Sequence, residues 1–361
     1  MKRFFAGAAA ALLAVALLIP VKTEAVSARR AYVLDAVSGR ELFARNAQER
    51  SLIASTTKIM TALIVCEQCN VLDRMRIPKE AVGIEGSSMY LKEGEVLTLQ
   101  ELLYGLMLSS GNDAAVALAI YCGGTVEGFA ELMNEKARIL GLSGTHFENP
   151  NGLDSPGHYS TARDLAVLAA YAMKNPIFYK TVSAKNVKIG QRCLTNHNKL
   201  LWKLEGADGV KTGFTKAAGR ILVSSATRQG RRIIGVTIDA PDDWNDHCLL
   251  LNEGFSRYQD RLIVEAGQCV GTLEVLGGDS CHVQVLSAER FSYALAKEEE
   301  PMLVLTGPGF VYAPAVEGAD AGFAYVLIGG SAIGKIPVVY GTTVEQKNEE
   351  QKGLWQKLLG H

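Results

Sequence analysis

Strand-forming sequence on both sides of a long helical block is the pattern that most restricts how this chain can fold. Ala31 to Asp35 and Arg40 to Ala44 flank Ser38-Gly39, which predicts a hairpin around a glycine turn. From Ser55 the period changes, and Ile59, Met60, Leu63 and Ile64 recur as on one face of a helix. Thr98-Leu-Gln-Glu101 has the capping-box pattern and opens a helix toward Leu108. A polar break, Ser109 to Asp113, separates it from an apolar helix over Ala114 to Cys122. Two more helices are predicted, one over Val126 to Leu140 and one from the Thr161-to-Asp164 cap to a stop before Asn175-Pro176. Strand character returns at Val210 to Phe214, and then at Ile221 to Ser225 and Ile233 to Ile238, which flank Arg228-Gln-Gly230. Strands before and after a helical segment of about 120 residues (56 to 175) predict one mixed domain whose sheet draws on both chain ends.

A helix over Trp244 to Tyr258 closes this domain, giving it bounds of 29–260. Residues 261–341 follow with short, Val- and Gly-rich alternating runs, the mark of a separate β-rich domain. The tail, 342–361, is charged and then carries Leu354, Trp355, Leu358 and Leu359, which would form one face of a short amphipathic helix. At the other end, Lys2-Arg3 precede an apolar run from Phe4 to Ile19, Pro20 ends it, and small residues follow at Ala25 and Ala28. Residues 1–28 therefore read as a secretory signal cleaved after Ala25 or Ala28, the run being short for a membrane span. The expectation is a protein that works outside the cytoplasm.

A net charge of -1 leaves no electrostatic footprint for nucleic acid. Seven cysteines, an odd number, require at least one free or interchain thiol. Cys66-Glu-Gln-Cys69 has redox-like spacing, but no second such pair completes a zinc site, and it lies near the end of an apolar helix. It is read as core or helix-end cysteine.

Chemistry is concentrated in three short elements. Ser55 and Lys58 are three residues apart, so a helix places the amine beside the hydroxyl. Serine needs such a base, and lysine serves only when burial and nearby positive charge lower its pKa. Ser110-Gly-Asn112 falls in the break between two helices, where the serine could pass a proton and the asparagine could bond a substrate amide. Lys211-Thr212-Gly213 is on a strand, against which a peptide could lie and borrow backbone hydrogen bonds.

Together these elements resemble the penicillin-binding proteins and serine β-lactamases, and more closely the low-molecular-mass serine D-alanyl-D-alanine carboxypeptidases. The extended matches are Ala54 to Ala62, Ser109 to Ala115, and Asp208 to Thr215 with Ala218-Gly219. His146 to Leu153 and Tyr159 to Asp164 resemble family segments around the active-site rim. The resemblance implies an α/β (α+β) fold, a DD-peptidase/serine β-lactamase-like domain of antiparallel sheet plus helical region, followed by the β-rich domain. It implies Ser55 as nucleophile, Lys58 as its base, Ser110 as proton relay and Asn112 as a peptide-positioning residue. Lys211 and Thr212 would hold the terminal carboxylate, Gly213 would allow close approach, and the N–H groups of Ser55 and Phe214 would form the oxyanion hole. The substrates implied are peptidoglycan stem peptides, with β-lactams as inhibitors, no cofactor and no metal. The tail would contact the outer face of the cytoplasmic membrane.

The sequence departs from this family in one place. Many relatives carry a carboxylate-binding arginine downstream, where this chain reads Asp242 to His247 without one. Arg220 is the candidate substitute, or else an exposed strand charge. Two other readings remain open at this point: a β-lactamase, for which Glu148 is the one candidate to activate water, and a wall-binding protein with a dormant site. His146, His197 and His247 stand in no triad or metal motif and are assigned structural or rim roles.

Overall fold

The computed structural model describes residues 26–347. The signal segment as far as Ala25 and the tail from residue 348 lie outside the described residues. The catalytic sheet has five antiparallel strands in the order Glu41–Arg45, Arg30–Asp35, Arg231–Ile238, Gly219–Arg228, Ala207–Thr215. Its two earliest strands thus pair with three that arrive after the helical block. The pleat sends Val33, Leu222 and Ile233 toward the helix Asp243–Arg257. Tyr32, Leu34, Val223, Ile234 and Val236 face the helical block. Strands covered on both faces read as near-continuous apolar runs, which is why Ile233 to Ile238 shows little alternation.

Ser55 is carried by a 3-10 turn, Ala54–Thr57, which leads into the helix Lys58–Gln68. The capping box at Thr98 is formed, with reciprocal bonds between Thr98 and Glu101 opening Leu99–Leu108. Asn112–Gly123 is the central helix, buried along its first two turns. The expected helix stop at Asn175-Pro176 is also a start. The Asn175 side chain accepts from the Ile177 and Phe178 amides and proline fills the first position of Pro176–Ser183. A hairpin, Asn186–Ile189 with Arg192–Thr195, was not anticipated from the sequence.

Cysteine is the second point of difference. Cys66 is a buried free thiol, but Cys69 forms a disulfide with Cys122. That bond joins Cys69, just past the end of the helix Lys58–Gln68, to Cys122, one residue before the end of Asn112–Gly123. Closing a loop over a separation of 53 residues constrains the unfolded chain by about 4 kcal/mol.

The strand Tyr258–Val264 starts where the helix Asp243–Arg257 ends, so the β-rich unit begins three residues before the expected boundary. It pairs with Phe291–Ala296 beside a six-stranded sheet running Met302–Leu305, Asp320–Ile328, Ser331–Tyr340, His282–Ser287, Cys269–Leu276, Phe310–Tyr312. The unit also extends past residue 341, because Val344 is buried and bridges Ala315, and Gln346 bridges Gly278. Arg40 clamps the two domains, donating to both Glu299 carboxylate oxygens at 2.6 Å and to the Ala294 carbonyl at 2.7 Å, and lying 4.6 Å over the Tyr258 ring.

Candidate active site

The first turn around Ser55 is held in a conformation that ordinary residues avoid. Ala54 has φ of +44°, and its carbonyl oxygen packs on Gly152, where a Cβ would come within 1.9 Å. Only glycine at 152, with φ of +87°, lets the rim loop approach this closely. The helix then sets Lys58 directly beneath the serine. Its Nζ donates to Ser55 Oγ at 3.0 Å, Asn112 Oδ1 at 2.7 Å and the Asn151 carbonyl at 2.5 Å. Three acceptors match the three protons of an ammonium, yet the group is fully buried. Burial first, then the charge of Lys211, holds its pKa well below the ordinary lysine value, with Asp113 pulling the other way.

Ser110 turns the chain between two helices with φ of +60°, which brings Asn112 to the head of the next helix. The Asn112 amide is fixed from both sides, its Nδ2 donating to the Glu85 carbonyl at 2.5 Å. Asp113, unnoticed in the sequence, is buried and accepts from Ser88 Oγ and from the Met89, Leu91 and Ala114 amides at 2.6–3.0 Å. It anchors the loop that bears Ser87 at the cleft.

Ala207–Thr215 is an edge strand of the sheet, so one side of its backbone is free for a peptide. Lys211 is buried on it, donates to the Thr212 carbonyl at 2.9 Å, and is lowered by burial to about 7. A Cβ on Gly213 would stand 3.3 Å from the Ser55 amide nitrogen and 3.2 Å from the Ile53 carbonyl oxygen. Strand and serine turn therefore touch through this glycine. Phe214, next in line, is 65% exposed.

Ser55, Ser110, Thr212, Gly213 and Phe214 line one open cleft of about 370 Å³. Lys58, Asn112 and Lys211 lie behind this lining, and the first two are joined to it through Lys58 Nζ. Arg220 also lines the cleft, but it is not free: its Nη2 donates to both carboxylate oxygens of Asp243, at 2.7 and 3.0 Å. Glu148 is elsewhere. Its carboxylate accepts from Ser155 Oγ and lies against Gly157, and it does not line the cleft.

Of the histidines, His197 lines the cleft, His146 bonds the Gly157 carbonyl on the rim, and His247 is buried between Ser224 and Thr237. His158 escaped sequence reasoning. It is buried, with Nε2 2.7 Å from Thr57 Oγ1 and Nδ1 accepting the Glu148 amide at 3.1 Å, and it ties the rim loop to the catalytic helix. Among the described residues no cluster of three or more His, Cys, Asp or Glu side chains could hold a metal ion.

The buried histidines predict a specific acid sensitivity. Burial lowers His158 from 6.5 to about 4 and His247 to about 3. Between 6.5 and those values the unfolded chain takes up protons that the folded chain refuses, so stability falls as pH drops. Denaturant melts should lose on the order of several kcal/mol between pH 6.5 and 4. The loss should already be visible above pH 5, before ordinary carboxylates titrate. His158→Gln should flatten this limb; an equally steep limb in that variant would remove His158 from the explanation.

A serine beside a buried lysine, under an edge strand bearing Lys-Thr-Gly, defines the class of serine acyl-transferring enzymes that bind penicillin. A family model described as D-alanyl-D-alanine carboxypeptidase matches residues 19–242, and one described as the C-terminal domain of penicillin-binding protein 5 matches 258–346. The chain belongs to the D-alanyl-D-alanine carboxypeptidase family and is a serine-type hydrolase of that family. It is 32% identical over 327 residues to D-alanyl-D-alanine carboxypeptidase DacF of Bacillus subtilis, covering 86% of this chain and 84% of that protein. To DacC of Escherichia coli it is 33% identical, covering 90% and 86%. The structure of penicillin-binding protein 5 from Haemophilus influenzae superposes with a TM-score of 0.77 at 30% identity, covering 89% of this chain and 98% of that one. DacD from Francisella tularensis superposes at 0.73 with 27% identity, covering 89% and 94%.

Proposed function

We propose that this enzyme removes the terminal D-alanine from peptidoglycan pentapeptide stems through an acyl-enzyme on Ser55. The observation that carries the reading is a fully buried Lys58 whose pKa is held well below the ordinary lysine value and whose Nζ lies 3.0 Å from the serine oxygen. Lys58 takes the Ser55 proton as Oγ attacks the penultimate carbonyl carbon. The oxyanion that develops is met by the amides of Ser55 and Phe214, donors already oriented before the charge appears. Ser110 passes the proton to the leaving D-alanine amine as the peptide bond breaks, and Asn112 holds the acyl-side amide. Water then releases the shortened stem by the reverse sequence. Lys211 and Thr212 hold the terminal carboxylate. Arg220, fixed by Asp243 in the same cleft, supplies the guanidinium that the stretch Asp242 to His247 lacks.

Purified mature chain should release D-alanine from a peptide ending in D-Ala-D-Ala and keep labelled penicillin as a long-lived adduct. Rapid turnover of penicillin would favour a lactamase, a reading weakened by Glu148, whose carboxylate is spent on Ser155 away from the cleft. A folded protein that never acylates would favour the dormant wall-binding role.

The site of work is proposed as extracytoplasmic. Val26 and Ala28 are buried, and Ser27 and Ala28 donate to the Asp246 carboxylate at 2.8–3.0 Å. Signal cleavage after Ala25 keeps these contacts and cleavage after Ala28 would discard them, so the mature chain is taken to begin at Val26. Contact of the tail with the membrane surface rests on its four apolar residues. A chain ending at Gly353 should shift from membrane to soluble fractions, and unchanged partition would discount the tail.

A further inference from the structure

The β-rich domain presents an exposed aromatic pair close to where the chain leaves it. Phe310–Tyr312 is an edge strand of the six-stranded sheet, paired with Cys269–Leu276. Its middle residue, Val311, packs inward with Val275, Val283 and Val344. Alternation therefore turns Phe310 and Tyr312 outward, where their rings meet edge to face at 5.7 Å. Tyr312 is 70% exposed, and Val316 on the following loop is 51% exposed. The exit of the chain is fixed beside them. The Leu276 carbonyl accepts the Ala313 N–H at 3.0 Å, and the next carbonyl, that of Gly277, accepts the Lys347 N–H at 2.8 Å. Lys347 is the last described residue, so the tail begins within about two strand spacings, roughly 10 Å, of Ala313.

Charge and tether together say what covers the pair. Glu274 stands opposite Phe310, the Asp279 amide donates to the Glu345 carbonyl, and the Glu317 amide donates to Thr343 Oγ1. Glu274, Asp279, Glu317 and Glu345 are all exposed, so carboxylates gather around the exit. From Gln351 to His361 the tail carries Lys352 and Lys357 and no acidic residue, with Leu354, Trp355, Leu358 and Leu359 spaced for one helical face. An apolar, cationic segment complements an aromatic, anionic surface, whereas the same carboxylates repel anionic lipid headgroups. Residues 348–353 tether that segment to its root and span at most roughly 20 Å. A tether of this length gives an effective concentration on the order of millimolar, enough to occupy a surface too small to hold a free partner. A second copy is disfavoured, since a stable dimer buries about 800 Å² on each partner, far more than two rings and a valine expose.

We propose that the tail docks on this end of the β-rich domain, its Leu and Trp face against Phe310 and Tyr312 and its lysines toward the carboxylates. The proposal stands apart from the carboxypeptidase reading and deepens the reading of the tail. The same apolar side chains cannot cover Tyr312 and enter a bilayer at once. Docking therefore competes with membrane attachment and sets how readily the enzyme leaves solution.

The test uses the mature chain from Val26 to His361. The fluorescence that Trp355→Phe removes belongs to Trp355, and it should lie to the blue of the emission from a free peptide of residues 348–361. Dilution should leave it unchanged. Phe310→Thr/Tyr312→Thr, which keeps strand-forming side chains at both outward positions, should return the emission to that of the peptide. Leu358→Ser/Leu359→Ser, changed outside the two domains, should do the same and is independent of their folding. On vesicles of neutral phosphatidylcholine, Phe310→Thr/Tyr312→Thr should bind several-fold more tightly than wild type because its tail is free. Wild-type Trp355 emission matching that of the peptide overturns the proposal, as does a blue shift that survives Phe310→Thr/Tyr312→Thr. A blue shift lost on dilution would assign the surface to a second copy instead, and weaker vesicle binding by Phe310→Thr/Tyr312→Thr would assign it to lipid.

Discussion

Ser55→Ala should abolish D-alanine release, with kcat/KM falling by roughly 10⁴- to 10⁶-fold, and should eliminate the penicillin adduct. The size of the effect follows from the lack of a substitute: the other hydroxyls in the cleft, those of Ser87, Ser110 and Thr212, lie on other segments and receive no bond from Lys58. Folding should be almost untouched. The Ser55 hydroxyl's bond is to Lys58, which keeps Asn112 and Asn151 as acceptors when it is removed. Thermal melts within a degree or two of wild type, together with loss of acylation, would fix the nucleophile. Retained acylation in a folded Ser55→Ala protein would end the proposed mechanism.

Lys58→Met is the second large effect, with acylation expected to slow by about 10³- to 10⁴-fold. Methionine keeps the unbranched stem in a fully buried site but offers no base, so the loss would measure proton transfer more than packing. The pH profile supplies the independent readout. Lys58 must be neutral to act, and burial with the nearby Lys211 charge depresses its pKa, so wild-type activity rises as pH climbs through that value. Lys211 must be charged to hold a carboxylate, and burial sets it at about 7, so kcat/KM should fall above that pH. The limb should lie higher for kcat, because a bound carboxylate stabilises the ammonium. Lys211→Arg, charged at every working pH, should carry the alkaline limb upward. An unchanged acylation rate in Lys58→Met would place the base elsewhere.

The elements proposed to carry the chemistry were legible because each is local. Lys58 meets Ser55 within one helical turn, and Gly213 follows Lys211 on one strand, so spacing indicated which residues could meet within each element, and the family resemblance joined the elements. The contacts that hold the elements together were not legible. The third acceptor of Lys58 is a backbone carbonyl, that of Asn151, which no side chain advertises. Arg220 was a candidate on position alone; its bidentate bond to Asp243 depends on how a strand and a later helix pack. The Cys69–Cys122 bond had the same difficulty, since pairing depends on which helix ends lie together. His158 lacked any motif, and Asn175-Pro176 carries two signals, of which the stop was read and the start missed.

The order of strands in the catalytic sheet also governs when the enzyme can exist. Arg30 pairs with Ile238 and Asp35 with Ile233, a partnership across some two hundred residues. Contacts of such separation form late, after the chain between them has been delivered. A polypeptide threading out from its N-terminus therefore carries Ser55 and Lys58 past the exit long before the strand bearing Lys211 can dock beside them. Until Ile238 has emerged, the hairpin of that strand with Gly219–Arg228 has nothing to link it to Arg30–Asp35. The cleft is therefore assembled only once nearly all of this domain's chain has been delivered.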